Sequence, residues 1–395
     1  MDYSISDSLQ ERLDTTQEFL SSQIIPMEKY FLAGQWQELE SMIANARLKV
    51  KSLGLWAPHL PKSLGGTFTG LVDLALLAEV LGQSPLGHIT FGCQAPDAGN
   101  AELLHLFGSD EQTEQWLKPL AAGDIRSCFA MTEPHTAGSN PTLLDSTAVL
   151  DGDEWVINGR KWFTTSADGA DFTIAMVITD EQAAKYSKAS MIIVPLDNPG
   201  YKLIRNIPVM GHSGYGPFSH AEIEFTDCRV PVSNILGNIG QGFALAQERL
   251  GPGRIQHCMR WLGIGNRAFS EMCRYAKSRK ISSNETLADQ QLMQAMIADS
   301  AAELAAARAL VMETAWTVEH QGFKAAKEKI SLIKFFTANV MHKVVDRALQ
   351  AHGGLGMTDD TIISYFYREE RAARIYDGPD EVHRLSVARK ILKEY

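Results

Sequence analysis

The spacing of apolar residues divides the chain into a helical part, a strand-rich part and a second helical part. In residues 1–126 apolar positions recur at helical spacing, and the run from Leu71 to Leu86 is too apolar for an exposed helix. The segment Phe107-Gly108-Ser109-Asp110 combines a helix stop with the N-cap of a following helix. We therefore expect residues 1–126 to form an N-terminal helical domain.

Residues 127–238 change to short β-branched runs separated by turn residues. Asp151-Gly152-Asp153 and Asn158-Gly159 both have the composition of tight turns, and each predicts a hairpin. Every second residue of 221–225 is apolar, which predicts a strand with one buried face. The pattern predicts a middle antiparallel β domain.

Residues 239–395 return to helical spacing. Apolar or small residues step by three and four from Met293 to Val318, and a second such run extends from Ile330 to Ala348. Long helices with short connections are typical of an antiparallel bundle. Because alternating strand–helix units are missing from the pattern, a Rossmann-type dinucleotide domain is not expected.

Composition narrows the classes of partner. The 395 residues include 37 Lys+Arg and 47 Asp+Glu, and the resulting net charge of −10 disfavours nucleic acid as a partner. No window approaches 18 uninterrupted apolar residues, so no membrane span is expected. The five cysteines are odd in number and lack CxxC spacing, so we expect neither a disulfide framework nor a metal site. The polar, acidic N-terminal segment is unlike a signal peptide, which favours the cytoplasm and leaves an organelle matrix open.

Two segments of the middle part carry polar groups that could bind a planar ring. In the loop 128–140, backbone N–H groups and the hydroxyls of Thr132 and Ser139 could cup a heteroaromatic ring with carbonyl acceptors; the alternative is a loop that only connects strands. In 158–166, adjacent aromatic residues followed by hydroxyls could stack on such a ring, or could simply face opposite sides of a strand.

Two further segments lie in the last part. The glycine turn His352-Gly353-Gly354-Leu355-Gly356 follows a long helix and would let a backbone or phosphate approach, although a plain helix C-cap has the same composition. Asp377 precedes Gly378-Pro379 and could project from a helix end as a general base. The alternative is that Asp377 caps the next helix, with Asp380 and Glu381 complementing its dipole.

Taken together, these segments resemble the acyl-CoA dehydrogenase family over nearly the whole chain. The landmarks that carry the resemblance occur in the order Gly65-Gly66, Gly108 to Leu120, Met131-Thr132-Glu133-Pro134, Asn158-Gly159-x-Lys161, Arg229-Val230-Pro231, Gly242-Phe243, Gly353-Gly354-x-Gly356 and Tyr376-Asp377-Gly378. The resemblance implies a multidomain α+β fold with an N-terminal α-helical domain (1–126), a middle antiparallel β domain (127–238) and a C-terminal four-helix bundle (239–395). It also implies FAD and a homo-oligomer built as a dimer of dimers.

The resemblance assigns roles residue by residue. The implied contacts to the cofactor comprise Phe129, Met131 and Thr132 at the isoalloxazine edge, Gly138 and Ser139 near the pyrophosphate, Phe163 and Thr165 at the ring, Arg279, Gln350, Gly353 and Gly354 toward a neighbouring subunit's FAD, and Glu381 beside the base. The implied contacts to substrate are Ser139, Arg254 and Gly378.

This sequence departs from the family pattern at the base itself. Asp377 stands where the family usually has Glu, and Pro379 replaces the usual Thr, so the backbone N–H expected to bind the thioester oxygen is missing. The segments Leu250–Ile255 and Asp377–His383 are similar to the branch that in animals is fused to an aminoglycoside-phosphotransferase-like kinase domain. That branch is associated with the breakdown of 4-hydroxyacyl-CoA.

The activity that the resemblance implies is α,β-dehydrogenation of an acyl-CoA thioester. Asp377 would remove the α-proton while the β-hydrogen leaves as hydride to flavin N5, and an electron-transfer flavoprotein or similar acceptor would reoxidise the cofactor. Two alternatives remain at this point: a nitroalkane-oxidase-like flavoenzyme, and a flavin-binding protein without catalytic activity. If Asp377 is not the base, Glu381 or Glu133 is the next candidate.

Overall fold

A computed structural model of the chain describes residues 5–68 and 70–395, except for the side chains of 250–252. The first four residues of the polar N-terminal segment, and the side chains of Leu250 to Pro252 in the branch-like segment, therefore lie outside the described residues. The chain divides into two compact units. One is helical and combines Met1–Pro58, Phe68–Phe91 and Gly251–Tyr395, and the other, His59–Thr67 with Gly92–Leu250, contains the β-sheet.

The first part of the chain is helical, as predicted. Its helices are α1 (Asp7–Phe19), α2 (Glu28–Leu32), α3 (Trp36–Ser52), α4 (Leu71–Leu81), α5 (Gly87–Thr90), α6 (Asp97–Phe107), α7 (Asp110–Gln112) and α8 (Lys118–Ala122), with single π-helical turns at Leu20–Ile24 and Thr113–Leu117. Helix α6 ends at Phe107, and Ser109 caps α7 through a capping box with Gln112. The stop-and-cap prediction is confirmed.

Helix α4 is shorter than the apolar run that predicted it. It ends at Leu81 because the chain turns at Gly82, where a Cβ would lie only 2.3 Å from the carbonyl oxygen of Arg260. Gly263 is equally close to the Glu79 carbonyl, at 2.2 Å. These two glycines let α4 approach the helix that carries Arg260 at backbone distance.

The middle part is one eight-stranded sheet. Its strands are β1 (Ser127–Ala130), β2 (Thr147–Asp151), β3 (Glu154–Thr165), β4 (Phe172–Ile178), β5 (Ala189–Pro195), β6 (Tyr201–Asn206), β7 (His220–Pro231) and β8 (Ile235–Leu236). The order is β6-β7-β3-β2-β4-β5-β8, with β1 added beside β4. Pairing is antiparallel except where β4 meets β1 and, through a single pair of residues, β2. Strand β4 is buried along its whole length, so it forms the centre of the core.

The two predicted turns have different outcomes. Gly152 adopts φ +65° in the tight turn between β2 and β3, so that hairpin is confirmed. The prediction of a turn at Asn158-Gly159 is wrong, because both residues lie inside β3. A Cβ on Gly159 would come within 2.3 Å of Ser146 Oγ, and the pairing register shifts here. Glycine is therefore required by close approach at a bulge.

The last part returns to helix, as predicted. Its helices are α9 (Gly242–Ser278), α10 (Gln291–His352), α11 (Ile363–Glu369) and α12 (Asp380–Ile391). Helix α10 is interrupted at Gly322, whose φ of 80° and ψ of 165° are not helical. The interruption separates the two apolar runs that the sequence showed from Met293 and Ile330. The helix–sheet–helix order is confirmed, whereas the boundaries at 126/127 and 238/239 stay a prediction. Within residues 5–68 and 70–395, no helix combines the length and apolarity that crossing a bilayer demands.

Candidate functional site

Lys161 fixes the loop after β1 to the sheet. Its side chain is fully buried, and Nζ donates to the carbonyl oxygens of Met131 (3.1 Å) and Met176 (2.6 Å) and to Glu133 Oε1 (2.7 Å). The backbone N–H of Trp162 also donates to the Thr132 carbonyl at 3.0 Å. Because three of these bonds hold the loop against β3, and the bond to Met176 ties Lys161 to β4, the backbone at Met131 and Thr132 has a fixed position.

Glu133 completes this anchor. It is 3% exposed and accepts from the backbone N–H groups of Asp145 and Ser146 as well as from Lys161. Burial raises the pKa of the Glu133 carboxyl, but the charge and hydrogen bond of Lys161 and the two amides outweigh it, and the net direction is downward. Burial lowers the pKa of Lys161 to about 8. With both oxygens engaged, Glu133 is a structural anion and has no oxygen available to act as a base.

Phe163 presents an aromatic face to the outside of β3. Its backbone adopts φ +48°, a left-handed conformation that is rare for an aromatic residue, and its side chain is 45% exposed. The pairing with β7 shifts register between Lys161 and Thr164, which places the strain at a bulge. Two residues on, Thr165 Oγ1 lies 2.9 Å from His220 Nδ1. The strand thus carries an exposed ring and, two residues on, an oriented hydroxyl.

The remaining predicted residues of the sheet unit, Gly138, Ser139 and Phe129, lie on the loop after β1 and on β1 itself. Gly138 is packed so closely that a Cβ would lie 3.1 Å from Thr132 Cγ2, and Ser139 is exposed beside it. Phe129 is half-buried, with the guanidinium carbon of Arg249 lying 4.3 Å from the centre of its ring. The resemblance did not anticipate this cation–π contact.

A shallow, open depression lies near the end of this loop, and its lining includes Pro141, Thr142, Lys185, Tyr186, Lys188 and Phe243. The rings of Tyr186 and Phe243 are 4.9 Å apart, and Lys185 Nζ lies 5.6 Å from the Tyr186 ring centre. Two ammonium groups and two aromatic rings around one cavity suit an anionic group attached to a planar base. This cavity was not predictable from sequence motifs, because its lining residues come from four separate segments.

In the helical unit, the backbone at Asp377 is held in a strained conformation. Asp377 has φ +53° and Gly378 has φ +100°. The Asp377 carbonyl oxygen accepts from Arg254 Nε (3.1 Å) and from His383 Nε2 (3.1 Å). Burial lowers the pKa of His383 to about 4, so this imidazole is neutral near pH 7 and donates through Nε2–H. Two hydrogen bonds to one carbonyl thus hold the backbone in this strained conformation and fix the position from which the carboxylate projects.

The Asp377 carboxylate itself faces His257. Asp377 Oδ2 lies 3.4 Å from His257 Nε2, and both side chains are about one-fifth exposed. The sequence analysis gave His257 no role of its own. Its position three residues after Arg254 on α9 was the available signal, because residues three apart share one face of a helix.

Asp380 and Glu381 lie in the first turn of α12, where carboxylates complement the helix dipole as considered, and Asp380 also makes buried polar contacts. The N-cap of α12 is Pro379, so the interpretation of Asp377 as a helix cap is wrong. Asp380 is 1% exposed, and its Oδ2 accepts from Asn339 Nδ2 (2.7 Å) and Arg374 Nε (3.1 Å), while Lys334 Nζ lies 4.0 Å from Oδ1. These contacts anchor the start of α12. Glu381, one residue on, is exposed.

The residues predicted to reach a neighbouring FAD lie at one end of the helical unit. The rings of Tyr275 and His352 stack at 4.3 Å and 24°, which joins the last turns of α9 and α10. Arg279 follows the end of α9, and both Arg279 and Gln350 are exposed. At the glycine turn after α10, a Cβ added to Gly353 or Gly354 would meet open space.

Comparison with known proteins accounts for this set of features. Three family models match in order: the acyl-CoA dehydrogenase N-terminal domain over residues 6–124, the middle domain over 128–228 and the C-terminal domain over 240–392. The chain belongs to the acyl-CoA dehydrogenase family. It is 42% identical to the probable acyl-CoA dehydrogenase FadE2 of Mycobacterium tuberculosis, in an alignment covering 88% of this chain and 85% of that protein.

Two other relatives bear on how this family member is built. A structure of an acyl-CoA dehydrogenase described as putative, from Mycobacterium abscessus, is 36% identical and superposes with a TM-score of 0.94 over 100% of both chains. Human acyl-CoA dehydrogenase family member 11 is 37% identical over 98% of this chain. The chain spans about half the length of that relative (50%).

Family membership confirms the predicted class of enzyme, an FAD-dependent acyl-CoA dehydrogenase oxidoreductase, and the predicted three-part fold. The roles assigned to individual residues stay predictions. Within the part of the chain that the structure describes, no group of three or more His, Cys, Asp or Glu side chains is arranged to hold a metal ion.

Proposed function

We propose that this acyl-CoA dehydrogenase removes the α-proton of an acyl-CoA thioester with Asp377 as the base. The observation that carries the proposal is the strained backbone of Asp377, whose carbonyl is held by Arg254 and His383 while its carboxylate stays partly exposed. Strain of this kind persists only where the surroundings enforce it, and it clusters at active sites.

The donor set of the sheet unit fits the flavin of FAD. Phe163 and Thr165 would hold its ring, and the fixed backbone at Met131 and Thr132 would meet its edge. Among the described residues, no hydrogen-bond partner lies within reach of the buried Trp162 Nε1, and such a donor suits a group that carries carbonyl acceptors. When bound, the flavin supplies the acceptor for the β-hydrogen.

The α-proton of a thioester is too weakly acidic for a free carboxylate to remove at a useful rate. Charge that develops on the carbonyl oxygen must therefore be stabilised by oriented donors. Pro379 has no N–H to give. The next backbone donors along the chain are the N–H groups of Asp380 and Glu381, which begin α12, and the start of a helix favours negative charge. We propose that a backbone N–H in this first turn of α12 binds the thioester oxygen in place of the N–H that Pro379 lacks.

The cavity beside Pro141 is the proposed site for the nucleotide end of the thioester. Coenzyme A carries an adenine and several phosphate charges, and Tyr186 and Phe243 offer aromatic faces next to Lys185 and Lys188. Ser139 lies two residues before the cavity lining begins at Pro141, which is consistent with its predicted contact to substrate.

The finer proposal concerns the acyl chain. The similarity to acyl-CoA dehydrogenase family member 11, together with the segment Asp377–His383, supports a role in the catabolism of unusual or 4-hydroxy fatty acids. Arg254, which holds the Asp377 carbonyl, would put a polar group near a substituent on the chain. In that pathway a kinase would phosphorylate the 4-hydroxyl first.

Assembly, electron acceptor and location are also proposals. The exposed Arg279, Gln350 and Gly354 are useful as ligands only if a second subunit brings its FAD to them, which supports a homo-oligomer, with a dimer of dimers expected. The family resemblance supports an electron-transfer flavoprotein or similar acceptor. The cytoplasm is the expected compartment.

One observation favours the nitroalkane-oxidase-like alternative. Asp377 replaces the usual Glu, and the more acidic α-proton of a nitroalkane needs a less finely placed base. An oxidase would consume oxygen with nitroalkanes, whereas a dehydrogenase would reduce its flavin with acyl-CoA under anaerobic conditions. A flavin-binding protein without catalytic activity would do neither.

The test is anaerobic flavin reduction by acyl-CoAs of varied length and branching in wild type and Asp377→Asn. Asn adopts left-handed backbone as readily as Asp, so this change removes the charge and keeps the conformation. We expect wild type to bleach and Asp377→Asn to slow reduction by about 10²–10⁴-fold while still binding FAD and ligand. The exposed Asp360→Asn is the control. Reduction by Asp377→Asn at the wild-type rate would exclude Asp377 as the base.

A further inference from the structure

Two aromatic side chains pack against His257, whose imidazole faces the Asp377 carboxylate. His257 packs parallel to Trp261, with ring centres 6.1 Å apart and an interplanar angle of 19°, and edge-on to Tyr376 at 5.4 Å. Its Nε2 lies 3.4 Å from Asp377 Oδ2. The imidazole is therefore held on two sides, and its remaining edge faces the carboxylate.

The residues that hold His257 are themselves fixed. The Tyr376 hydroxyl oxygen accepts from Arg260 Nη2 (2.8 Å) and Trp261 Nε1 (2.9 Å), and Arg260 forms a two-point ion pair with Glu370 at 2.6 and 2.9 Å. Trp261 is fully buried. A bidentate pair of this type is among the most rigid polar contacts in proteins. The orientation of His257 is thus set by packing before any substrate arrives.

We propose that His257 is the positioning residue for Asp377: the 3.4 Å contact of its Nε2 with Oδ2 holds that oxygen, which leaves Oδ1 of the carboxylate directed at the α-proton. This inference rests on the proposed function of Asp377. In the step, the C–H bond breaks, its electron pair stays on the α-carbon, and the proton is bound by Oδ1 while Oδ2 keeps its contact with His257. The carboxylate of the short Asp side chain can rotate. A contact on one of its oxygens restricts this rotation and therefore fixes the position of the other oxygen.

The same contact makes the base sensitive to the charge of His257. A protonated imidazole stabilises the carboxylate and weakens it as a base, so loss of that proton strengthens Asp377. We therefore expect the rate of flavin reduction to rise with pH as the imidazole loses its proton.

Other charged or titratable groups lie near His257 or Asp377. They are Arg254 and Arg260 on α9, His88 on α5, Tyr376 in the loop and Lys334 on α10. Burial, with smaller contributions from Arg260 and His257, lowers the pKa of His88 to about 3, so His88 stays neutral. Burial raises the pKa of the Tyr376 phenol, and it lowers the pKa of Lys334 against the charges of Asp380 and Asp377.

Two variants separate the parts of the proposal. His257→Phe keeps the packing against Trp261 and Tyr376 but removes the donor. His257→Gln keeps an N–H donor of similar reach but cannot titrate. His320→Phe is the matched control, because His320 stacks on Trp316 at 4.4 Å and 16° in the same way and its Nδ1 contacts a backbone carbonyl rather than a carboxylate.

The measurement is single-turnover flavin reduction by an acyl-CoA that reduces the wild type, as a function of pH, with ligand affinity and melting temperature determined in parallel. We expect His257→Phe to be slower by about 10- to 100-fold with little change in affinity. His257→Gln should keep most of the rate and lose the rise with pH. His320→Phe should match wild type.

Three results would overturn the inference. The first is a wild-type rate and pH profile in His257→Phe. The second is an equal loss in His257→Phe and His257→Gln at unchanged melting temperature, which would exclude the donor role. The third is an equal loss in His320→Phe, which would indicate a general effect of replacing a stacked imidazole. Asp377→Asn distinguishes failure of this inference from failure of the proposed function. If Asp377→Asn is inactive while His257→Phe is normal, only the role of His257 is excluded. If Asp377→Asn is active, Asp377 is excluded as the base as well.

Discussion

Lys161 Nζ lies 2.7 Å from Glu133 Oε1, and both side chains are at most 3% exposed. The pair joins β3 to the loop that carries Met131 and Thr132, through the backbone bonds that Lys161 and Glu133 also make. Two sequence landmarks of the family, Met-Thr-Glu-Pro and Asn-Gly-x-Lys, therefore supply the two partners of a buried ion pair. This pair fixes the backbone that is proposed to meet the flavin edge.

Removing one partner of this pair should be strongly destabilising. Lys161→Met leaves Glu133 buried without its cation, which costs about 3–5 kcal/mol in the free energy of unfolding. Glu133→Gln should cost a similar amount, and the double variant should recover part of the loss because no lone charge stays buried. Denaturant unfolding of the four proteins forms a double-mutant cycle, and strictly additive losses would contradict the coupling.

The pair also predicts a sign for the response to acid. The pKa of Glu133 is lower in the folded protein than its ordinary value of 4.5. This carboxylate therefore contributes stability above about pH 4.5, and the contribution is lost as the pH falls through the folded pKa. The wild type should lose more stability than Glu133→Gln between pH 5 and pH 3, as followed by thermal melting. A parallel decline of the two proteins would exclude this linkage.

Gly378→Ala should disrupt the loop of the base. Gly378 has φ +100°, and a Cβ there would lie 2.7 Å from His383 Nε2, which is the donor to the Asp377 carbonyl. We expect a loss of stability of about 1–3 kcal/mol from strain and displacement of His383, and a larger fractional loss of flavin reduction. Gly54→Ala is the matched control, since Gly54 also has positive φ (+66°) but open space around its Cβ. Equal effects on activity in the two variants would rule out the contact with His383.

How far the sequence predicts this structure differs between elements. The apolar spacing located both runs of α10, because a helix buries one stripe of residues whatever it packs against. The turn predicted at Asn158-Gly159 was wrong. Gly159 is required by its close approach to Ser146, and the sequence alone does not distinguish such a glycine from one required by a turn. The strain at Phe163 and Asp377 was not predictable from composition, because it is imposed by bonds from distant residues such as Arg254.

Asp377→Glu should lower activity rather than raise it. Glu lacks the tolerance of Asp for left-handed backbone, and its extra methylene would move the carboxylate by about 1 Å from the position that His257 contacts. We expect flavin reduction to fall by up to about 10²-fold with FAD retained. Stopped-flow reduction measures this, and a faster variant would show that the pocket retains room for the longer side chain.

Lys188→Ala should weaken the binding of acyl-CoA without slowing the chemical step. Lys188 lines the cavity with Lys185 and Tyr186, and a phosphate contact at an exposed site is weakened by salt. The dissociation constant should rise about threefold to tenfold at low ionic strength and less at high salt, while the limiting rate of flavin reduction stays unchanged. Lys277→Ala, at an exposed position at the end of α9, is the control. A fall in the limiting rate with unchanged affinity would place the coenzyme elsewhere.

Phe163→Ala should separate cofactor binding from folding. The Phe163 ring is 45% exposed, and its centre lies 4.9 Å from the centre of the Trp162 ring. The side chain therefore contributes little to the core. Removing the side chain also leaves a residue that is less crowded at φ +48°. The apoprotein should therefore melt within a few degrees of wild type, because surface substitutions usually change the free energy of unfolding by no more than about 0.5 kcal/mol.

FAD affinity, measured by quenching of flavin fluorescence, should fall about tenfold if the ring stacks on the cofactor. Val149→Ala, on the exposed face of β2, controls for the loss of an exposed apolar side chain. Unchanged FAD affinity would show that the strained backbone at Phe163 serves another purpose, and a collapse of the apoprotein would show that the ring belongs to the fold.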